Sequence, residues 1–247
     1  MKEIDLQLQM PGGTADAVLF TPDTPQPLPG VLHIPDIGSV RDTHRKMARR
    51  LAQEGYVVLM PNTFYRTSRP PVFTFERKPG DPRVAERMKE LLAPLTPQAQ
   101  EQDFAAYIDF LASQPSVQSN KLGAVGYCIG GGFALRTSAV RPEKVRAVAS
   151  FHGGGLYKAN DPASPHLVLP RVKAQLYFGH ADQDQSMTAE DITHFEAALK
   201  AWGGNYQSET YHGARHGWTV PDSPAYNEPE AERAYKKLTE SFKAALA

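Results

Sequence analysis

The sequence has one cysteine, no excess of either charge and no long apolar run. A single cysteine in 247 residues excludes an internal disulfide and any zinc or iron–sulfur site built on several cysteines. The 27 basic and 27 acidic side chains cancel, so no overall field favours nucleic acid or an anionic lipid surface. No apolar run approaches the ~20 residues of a membrane-spanning helix. We therefore expect a soluble globular protein with no nucleic-acid or membrane partner.

Compartment and domain number follow from the same composition. Residues 1–5 carry two acids and lack the apolar stretch of a signal peptide, and a lone cysteine suits a reducing compartment. We expect a cytoplasmic protein. A chain of this length forms one large domain or two small ones, at about 100–200 residues per domain. Because no linker or internal repeat divides the sequence, we expect a single domain over 1–247.

Short apolar runs alternate with longer amphipathic patterns. The apolar runs predict strands at 30–34, 56–60, 122–126, 147–151, 174–178 and 207–211. The longer patterns predict helices at 43–54, 97–113, 131–140, 189–202 and 229–245. This alternation indicates an α/β fold, with a mostly parallel central sheet and helices on both faces. Residues 4–10 alternate polar and apolar before a turn at 11–13, which predicts an antiparallel hairpin at the sheet edge.

Residues 63–97 do not fit the alternation. They contain six prolines and many basic side chains, which is typical of a surface excursion between two sheet elements. The segment is either an irregular loop with one short helix or a lid-like loop that faces a substrate, since long loops in compact domains often bind ligands.

The strongest local signal lies at 122–132, where an apolar strand runs into Gly-x-Cys-x-Gly and then into a helical pattern. This is the nucleophile-elbow pattern with cysteine in place of serine. Glycines on either side of Cys128 relieve crowding where the strand turns sharply into the helix. The free amides and the positive end of that helix favour negative charge on the sulfur. Cys128 is therefore a candidate nucleophile, whereas an isolated cysteine is more often a buried structural thiol.

A cysteine nucleophile needs a base and a group that orients the base. His216 is the preferred base, because it follows the last predicted strand and a loop there reaches the C-terminal edge of the sheet. The acid is expected between nucleophile and base in the chain, since this architecture runs nucleophile, acid, histidine. Asp184 is preferred to Asp182; both follow the strand at 174–178, and the other is a loop or cap residue.

Backbone amides near the nucleophile are expected to form an oxyanion hole. The donors are Ile129, directly after the nucleophile, and Ile37, in the loop that follows the strand at 30–34. Asp36 then lies beside the nucleophile, as a substrate contact or as a turn residue. His152 follows the strand at 147–151 and either lines the pocket or caps the glycines after it.

These segments resemble the dienelactone hydrolase family of the α/β-hydrolase superfamily over nearly the whole chain. The resemblance rests on the cysteine elbow, the Asp-Ile-Gly loop at 36–38, the Pro-Asn-Thr-Phe-Tyr-Arg run at 61–66, Asp184 before its helix and the His-Gly pair at 216–217. It implies a triad of Cys128, His216 and Asp184 that cleaves a lactone or ester through a thioester acyl-enzyme. It implies no cofactor and no metal.

Two positions depart from the pattern of the family. Its members carry a glutamate in the oxyanion loop that takes part in activating the thiol, and this chain has Asp36 there. Dienelactone hydrolases proper also hold the substrate carboxylate with arginines, one of them four residues after the histidine, where this chain has Val220. Tyr65, Arg66 and Trp218 are further candidates to line the substrate pocket.

Three functions are consistent with these residues. The first is a hydrolase of a small-molecule ester or lactone, and the second is a general carboxylesterase of the same fold. The third is a non-catalytic relative that binds a small ligand or uses Cys128 as a redox-sensitive thiol. The complete set of Cys, Asp and His favours an enzyme. The sequence leaves both a monomer and a homodimer open.

Overall fold

The structure, a computed structural model, describes residues 1–78 and 80–247; residue 79, within the excursion at 63–97, lies outside the described residues. The strands are β1 (Lys2–Met10), β2 (Gly13–Thr21), β3 (Leu28–Ile34), β4 (Val57–Pro61), β5 (Val117–Tyr127), β6 (Val145–Phe151), β7 (Gln175–Gln183) and β8 (Tyr206–Arg215). The α-helices are α1 (Asp42–Gln53), α2 (Pro82–Leu92), α3 (Pro97–Ala112), α4 (Ile129–Val140), α5 (Ala189–Trp202) and α6 (Glu228–Leu246). A 3-10 helix spans Pro165–Arg171.

The strands form one sheet in the order β1-β2-β4-β3-β5-β6-β7-β8. The hairpin β1–β2 is antiparallel and joins the sheet antiparallel to β4, while β4, β3 and the strands from β5 to β8 pair in parallel. The predicted α/β fold with an antiparallel edge hairpin is confirmed. Because the carboxyl ends of parallel strands meet at one edge, the turns after β3, β5, β6, β7 and β8 lie side by side.

Helices cover both faces of the sheet, which the continuous apolar strands require. Along β5, Leu122 and Ala124 belong to the apolar cluster that includes α3 and α4. Val125 and Tyr127 belong to the opposite cluster, which includes α1 and α6. The strand that leads to Cys128 is therefore held from both sides.

The excursion at 63–97 contains a helix of 11 residues, α2. Asp81 caps it by accepting a hydrogen bond from the Arg83 amide, and a proline occupies its first turn, where a missing amide hydrogen is tolerated. Within the described ranges, no helix is both long enough and apolar enough to cross a bilayer.

Candidate active site

Cys128 lies on a strained turn between β5 and α4. Its backbone has φ 57° and ψ −126°, a conformation that L-residues with side chains rarely adopt and that is typical of functional sites. The flanking glycines permit it: a Cβ on Gly126 would overlap the Gly130 carbonyl oxygen, and a Cβ on Gly130 would lie 2.6 Å from the Ile34 and Pro35 carbonyl oxygens. The glycine spacing noted in the sequence thus has a steric cause.

Three neighbouring turns bring Cys128, Asp184 and His216 together. Asp184 follows β7, His216 follows β8, and His216 Nδ1 lies 2.6 Å from Asp184 Oδ2. Cys128 and His216 border the same two cavities, and Cys128 contributes to raising the pKa of His216. Asp182 points elsewhere, since its carboxylate accepts the Gly213 amide at 2.9 Å. Asp184 is therefore the carboxylate that orients His216.

The pKa values of His216 and Asp184 are shifted by the contact between the two side chains. Burial lowers the pKa of His216, but the hydrogen bonds to Asp184 and Cys128 outweigh it and raise that pKa to about 10. Burial raises the pKa of Asp184, but the bonds from His216 and Ser186 bring it below its ordinary value. Both shifts favour a charged imidazolium beside a charged carboxylate.

Ser186 also contacts Asp184 and His216, and no sequence pattern singled it out. Its amide and its hydroxyl both donate to Asp184 Oδ1, at 2.8 and 2.7 Å, and the hydroxyl oxygen lies 3.1 Å from His216 Nδ1. A serine two residues after an aspartate is a common turn pattern, which is why it carries no signal by itself. Here it holds the Asp184 carboxylate in place beside His216.

His152 is hydrogen-bonded to the backbone of Cys128. Its Nδ1 accepts the Cys128 amide hydrogen at 3.0 Å, so its proton is on Nε2, which lies 2.8 Å from Thr219 Oγ1. Burial and the nearby His216 lower the pKa of His152 to about 3, so the ring is neutral. His152 does border the cavity, but it is almost completely buried, and its polar atoms bind the protein.

The two amides expected in the oxyanion hole are available. Within the described part of the chain, neither the Ile37 amide nor the Ile129 amide donates a hydrogen bond. Ile37 borders one cavity at Cys128 and Ile129 borders the other. Free amides near a nucleophile can stabilise the negative oxygen of a tetrahedral intermediate.

Asp36 is held in a clamp between two loops. Arg41 binds both Asp36 oxygens, at 2.7 and 2.8 Å, and both Asp222 oxygens, at 2.8 and 2.7 Å. Burial raises the pKa of Asp36, but its bonds to His44 and Arg41 hold that pKa well below the ordinary range. Asp36 also accepts the Gly38 amide at 2.7 Å, as a turn residue does. Its carboxylate is thus committed to this clamp rather than free to take a proton from the thiol.

Breaking the clamp is expected to destabilise the fold. Arg41→Gln leaves the buried Asp36 carboxylate without its counter-charge, and we expect a loss of about 2–4 kcal/mol in the free energy of unfolding. The matched control is Arg50→Gln, which breaks the exposed pair with Glu232 and is expected to cost under about 1 kcal/mol. Urea unfolding measures both. Equal losses in the two variants would show that the Arg41 clamp is no stronger than a surface pair.

Three residues expected to line the pocket lie elsewhere. Tyr65 donates to Asp103 Oδ1 at 2.6 Å, and Arg66 donates to both Asp103 oxygens at 2.9 and 2.8 Å. The buried Asp103 on α3 attracts both side chains away from the cavities at Cys128. Trp218 is fully buried, with its ring 4.9 Å from that of Tyr211, and belongs to the core.

Two cavities of about 850 and 460 Å³ meet at Cys128 and His216. The excursion at 63–97 supplies Met88 and Leu92 to the first and Glu76 and Arg77 to the second. Among the residues that the structure describes, no group of three or more His, Cys, Asp or Glu side chains is arranged to hold a metal ion.

The chain is similar in sequence and in fold to known proteins. The model of the dienelactone hydrolase family matches residues 15–246. A Synechocystis sp. protein named "Putative carboxymethylenebutenolidase" is 28% identical over 88% of this chain and 87% of its own. The carboxymethylenebutenolidase of Rhodococcus opacus is 26% identical over 79% of this chain and 73% of its own. A crystal structure named "Putative Dienelactone Hydrolase", from Klebsiella pneumoniae, has the same fold, with a TM-score of 0.87 and 21% identity over 98% of both chains.

Proposed function

The chain belongs to the dienelactone hydrolase family and is a hydrolase of ester or lactone bonds, and from that premise we propose how its residues carry the reaction. Cys128 attacks the carbonyl carbon as a thiolate and forms a thioester. His216 is the acid and base, and Asp184 orients it. The observation that carries the proposal is the 2.6 Å contact of His216 Nδ1 with Asp184 Oδ2, at a site where His216 and Cys128 border the same two cavities.

The first half-reaction releases the alcohol. The thiolate adds to the carbonyl carbon, and the carbonyl oxygen takes the negative charge. The amides of Ile37 and Ile129 hold that oxygen; one such donor is typically worth about 10²–10³ in rate. The intermediate collapses as the carbon–oxygen bond to the alkoxy group breaks. His216 gives its proton to the departing oxygen and becomes neutral.

The second half-reaction releases the acid. Neutral His216 takes a proton from a water molecule, whose oxygen attacks the thioester carbon. The carbon–sulfur bond then breaks and Cys128 leaves as a thiolate beside the newly formed imidazolium. Since the starting pair is restored, the cycle consumes only substrate and water.

The proposal is tested with a panel of an activated acetate ester, simple esters and simple lactones. We expect wild type to hydrolyse members of the panel and Cys128→Ala to lose at least about 10⁴-fold in kcat/KM. If Cys128→Ala retains the wild-type rate on every substrate that is turned over, another group is the nucleophile. If both proteins are inert while Cys128 of the wild-type protein still reacts with iodoacetamide, the result favours a binding or redox role over hydrolysis.

The charge coupling at His216 predicts how stability depends on pH. A histidine whose pKa is raised from 6.5 to about 10 contributes stability that is complete below pH 6.5 and is lost as pH rises through about 10. We expect Asp184→Asn to lower the free energy of unfolding by about 1.5–3 kcal/mol at pH 7, as for a hydrogen bond between charged groups. The difference from wild type should shrink above pH 10. Urea unfolding over this pH range, with Asp182→Asn as the control, measures it; a difference that is constant with pH would contradict the ion pair.

A further inference from the structure

The site is divided into two lobes with different surfaces. Cys128, His216, Ser223 and Pro224 border both cavities. We call the cavity of about 850 Å³ the apolar lobe, since apolar atoms dominate its wall, with contributions from Met88, Leu92, Ile129, Pro224 and Ala225. We call the cavity of about 460 Å³ the charged lobe, defined by Asp36, Arg41, Glu76, Arg77 and Asp222. The reacting atoms lie where the two lobes meet.

The apolar lobe is suited to an alkyl chain. Met88 and Leu92 are one turn apart on α2 and therefore lie on the same face of that helix. Both side chains are partly buried against the apolar core, and both form part of the wall of the lobe. Two cations also border this lobe: Lys158 lies 3.9 Å from Asp161, and Arg215 lies 3.5 Å from the Pro224 carbonyl oxygen.

The charged lobe is suited to a polar group or to water. It contains three carboxylates and two guanidinium groups, and the Glu76 carboxylate is paired with Lys78 at 3.4 Å. Arg41 is fully engaged by Asp36 and Asp222, so it offers little to a substrate anion. An alkyl chain would desolvate these charges at a cost, whereas a hydroxyl group could hydrogen-bond to them.

The chemistry decides which part of the substrate enters which lobe. His216 gives a proton to the leaving alcohol and then takes one from water, so alcohol and water must approach it from the same side. We expect water to approach from the charged lobe, because the charged side chains of its wall hold water by hydrogen bonds. The acyl group, which stays on Cys128 between the two half-reactions, then lies in the apolar lobe. A small lactone joins its acyl and alkoxy parts in one ring and cannot divide them between two lobes.

We propose that the physiological substrate class is the open-chain ester of an apolar acyl chain of medium length with a polar, uncharged alcohol. This deepens the proposed function and rests on it. The acyl chain fills the apolar lobe against Met88 and Leu92, and the hydroxylated alcohol occupies the charged lobe between Glu76 and Asp222.

The test compares glycerol monoacetate, monobutyrate and monohexanoate with butyl hexanoate and γ-hexalactone. At about three- to fourfold for each methylene buried, we expect kcat/KM to rise at least tenfold from acetate to hexanoate. Glycerol monohexanoate should exceed both butyl hexanoate and the lactone by about tenfold. Met88→Trp, which adds bulk to the wall of the apolar lobe, should lower the ratio of hexanoate to acetate rates about tenfold.

The control is Leu167→Trp, a substitution at a leucine that is 51% exposed and borders neither lobe; it should keep the wild-type ratio. Met88→Ala is the second variant in case the tryptophan perturbs folding, and it should lower the ratio through lost contact. Rates that ignore acyl length, or a lactone that outruns the open-chain hexanoate, would overturn the proposed substrate class while Cys128-dependent turnover leaves the mechanism intact. If Cys128→Ala turned over the panel as fast as wild type, the mechanism itself would fail.

Discussion

Replacing His216 with alanine is expected to lower kcat/KM by at least about 10⁴-fold, the scale seen when one member of a catalytic triad is removed. The reason is that this ring serves both half-reactions, as proton donor to the alcohol and as proton acceptor from water. It also binds Asp184 and borders the same cavities as Cys128, so in the proposed mechanism the thiolate loses its counter-ion together with its base.

A neighbouring histidine supplies the control for this result. His212 lies four residues earlier on β8, and its side chain is 93% exposed. His212→Ala should therefore keep wild-type kcat and KM. Steady-state hydrolysis of an activated acetate ester measures both variants after circular dichroism has verified their folding. Comparable losses in the two variants, or a small loss in His216→Ala, would remove His216 from the chemistry.

Gly126→Ala is expected to destabilise the protein by about 3 kcal/mol or more, and to reduce activity in whatever fraction remains folded. A methyl group there overlaps the Gly130 carbonyl oxygen and comes within 2.7 Å of the Gly131 amide nitrogen. Both are backbone atoms in the first turn of α4. The clash therefore cannot be relieved by rotating a side chain. The elbow itself has to move.

A second glycine of the same strand separates this clash from the general effect of adding a methyl group to β5. A Cβ on Gly123 has its nearest contact 3.2 Å away, at the flexible end of the Leu246 side chain. We expect Gly123→Ala to change the free energy of unfolding by no more than about 1 kcal/mol. Thermal and urea unfolding compare the two variants, and an equally tolerant Gly126→Ala would mean that the elbow does not need a bare backbone there.

The sequence was most informative where one local pattern had one physical cause. The alternation of apolar strands and helices implied the parallel sheet, and the strand-Gly-x-Cys-x-Gly-helix run implied the turn at Cys128. The sheet topology then brings the turns after β5, β7 and β8 to one edge. For this reason Cys128, Asp184 and His216, which are far apart in the chain, were identified together.

The supporting contacts were harder to predict because they depend on side chains from distant elements. The clamp of Arg41 joins Asp36 to Asp222, 181 residues away from the arginine. The role of His152 depends on which nitrogen faces the Cys128 amide, and no spacing encodes that. A sequence pattern places a residue near an edge of the sheet, but it does not choose the residue's hydrogen-bond partner.

Partners from distant elements also explain why three residues expected in the pocket lie elsewhere. Tyr65 and Arg66 follow β4 and so were expected at the catalytic edge, but the buried carboxylate of Asp103 binds both of them. Trp218 follows His216 by two residues, and its indole ring is buried in the core. A strong ion pair or a large apolar surface outweighs proximity in sequence.

The central claim is that the acyl group is carried by Cys128 as a thioester. Acid quenching of the wild-type enzyme during turnover of an activated hexanoate ester, followed by mass spectrometry of the peptide that contains Cys128, tests it directly. Because the chain has a single cysteine, a thioester adduct can be assigned without ambiguity. We expect one hexanoyl group on Cys128 that is removed by neutral hydroxylamine and is absent from Cys128→Ala. Hydrolysis that proceeds with no adduct on Cys128, or with the acyl group on another residue such as Ser186, would contradict it.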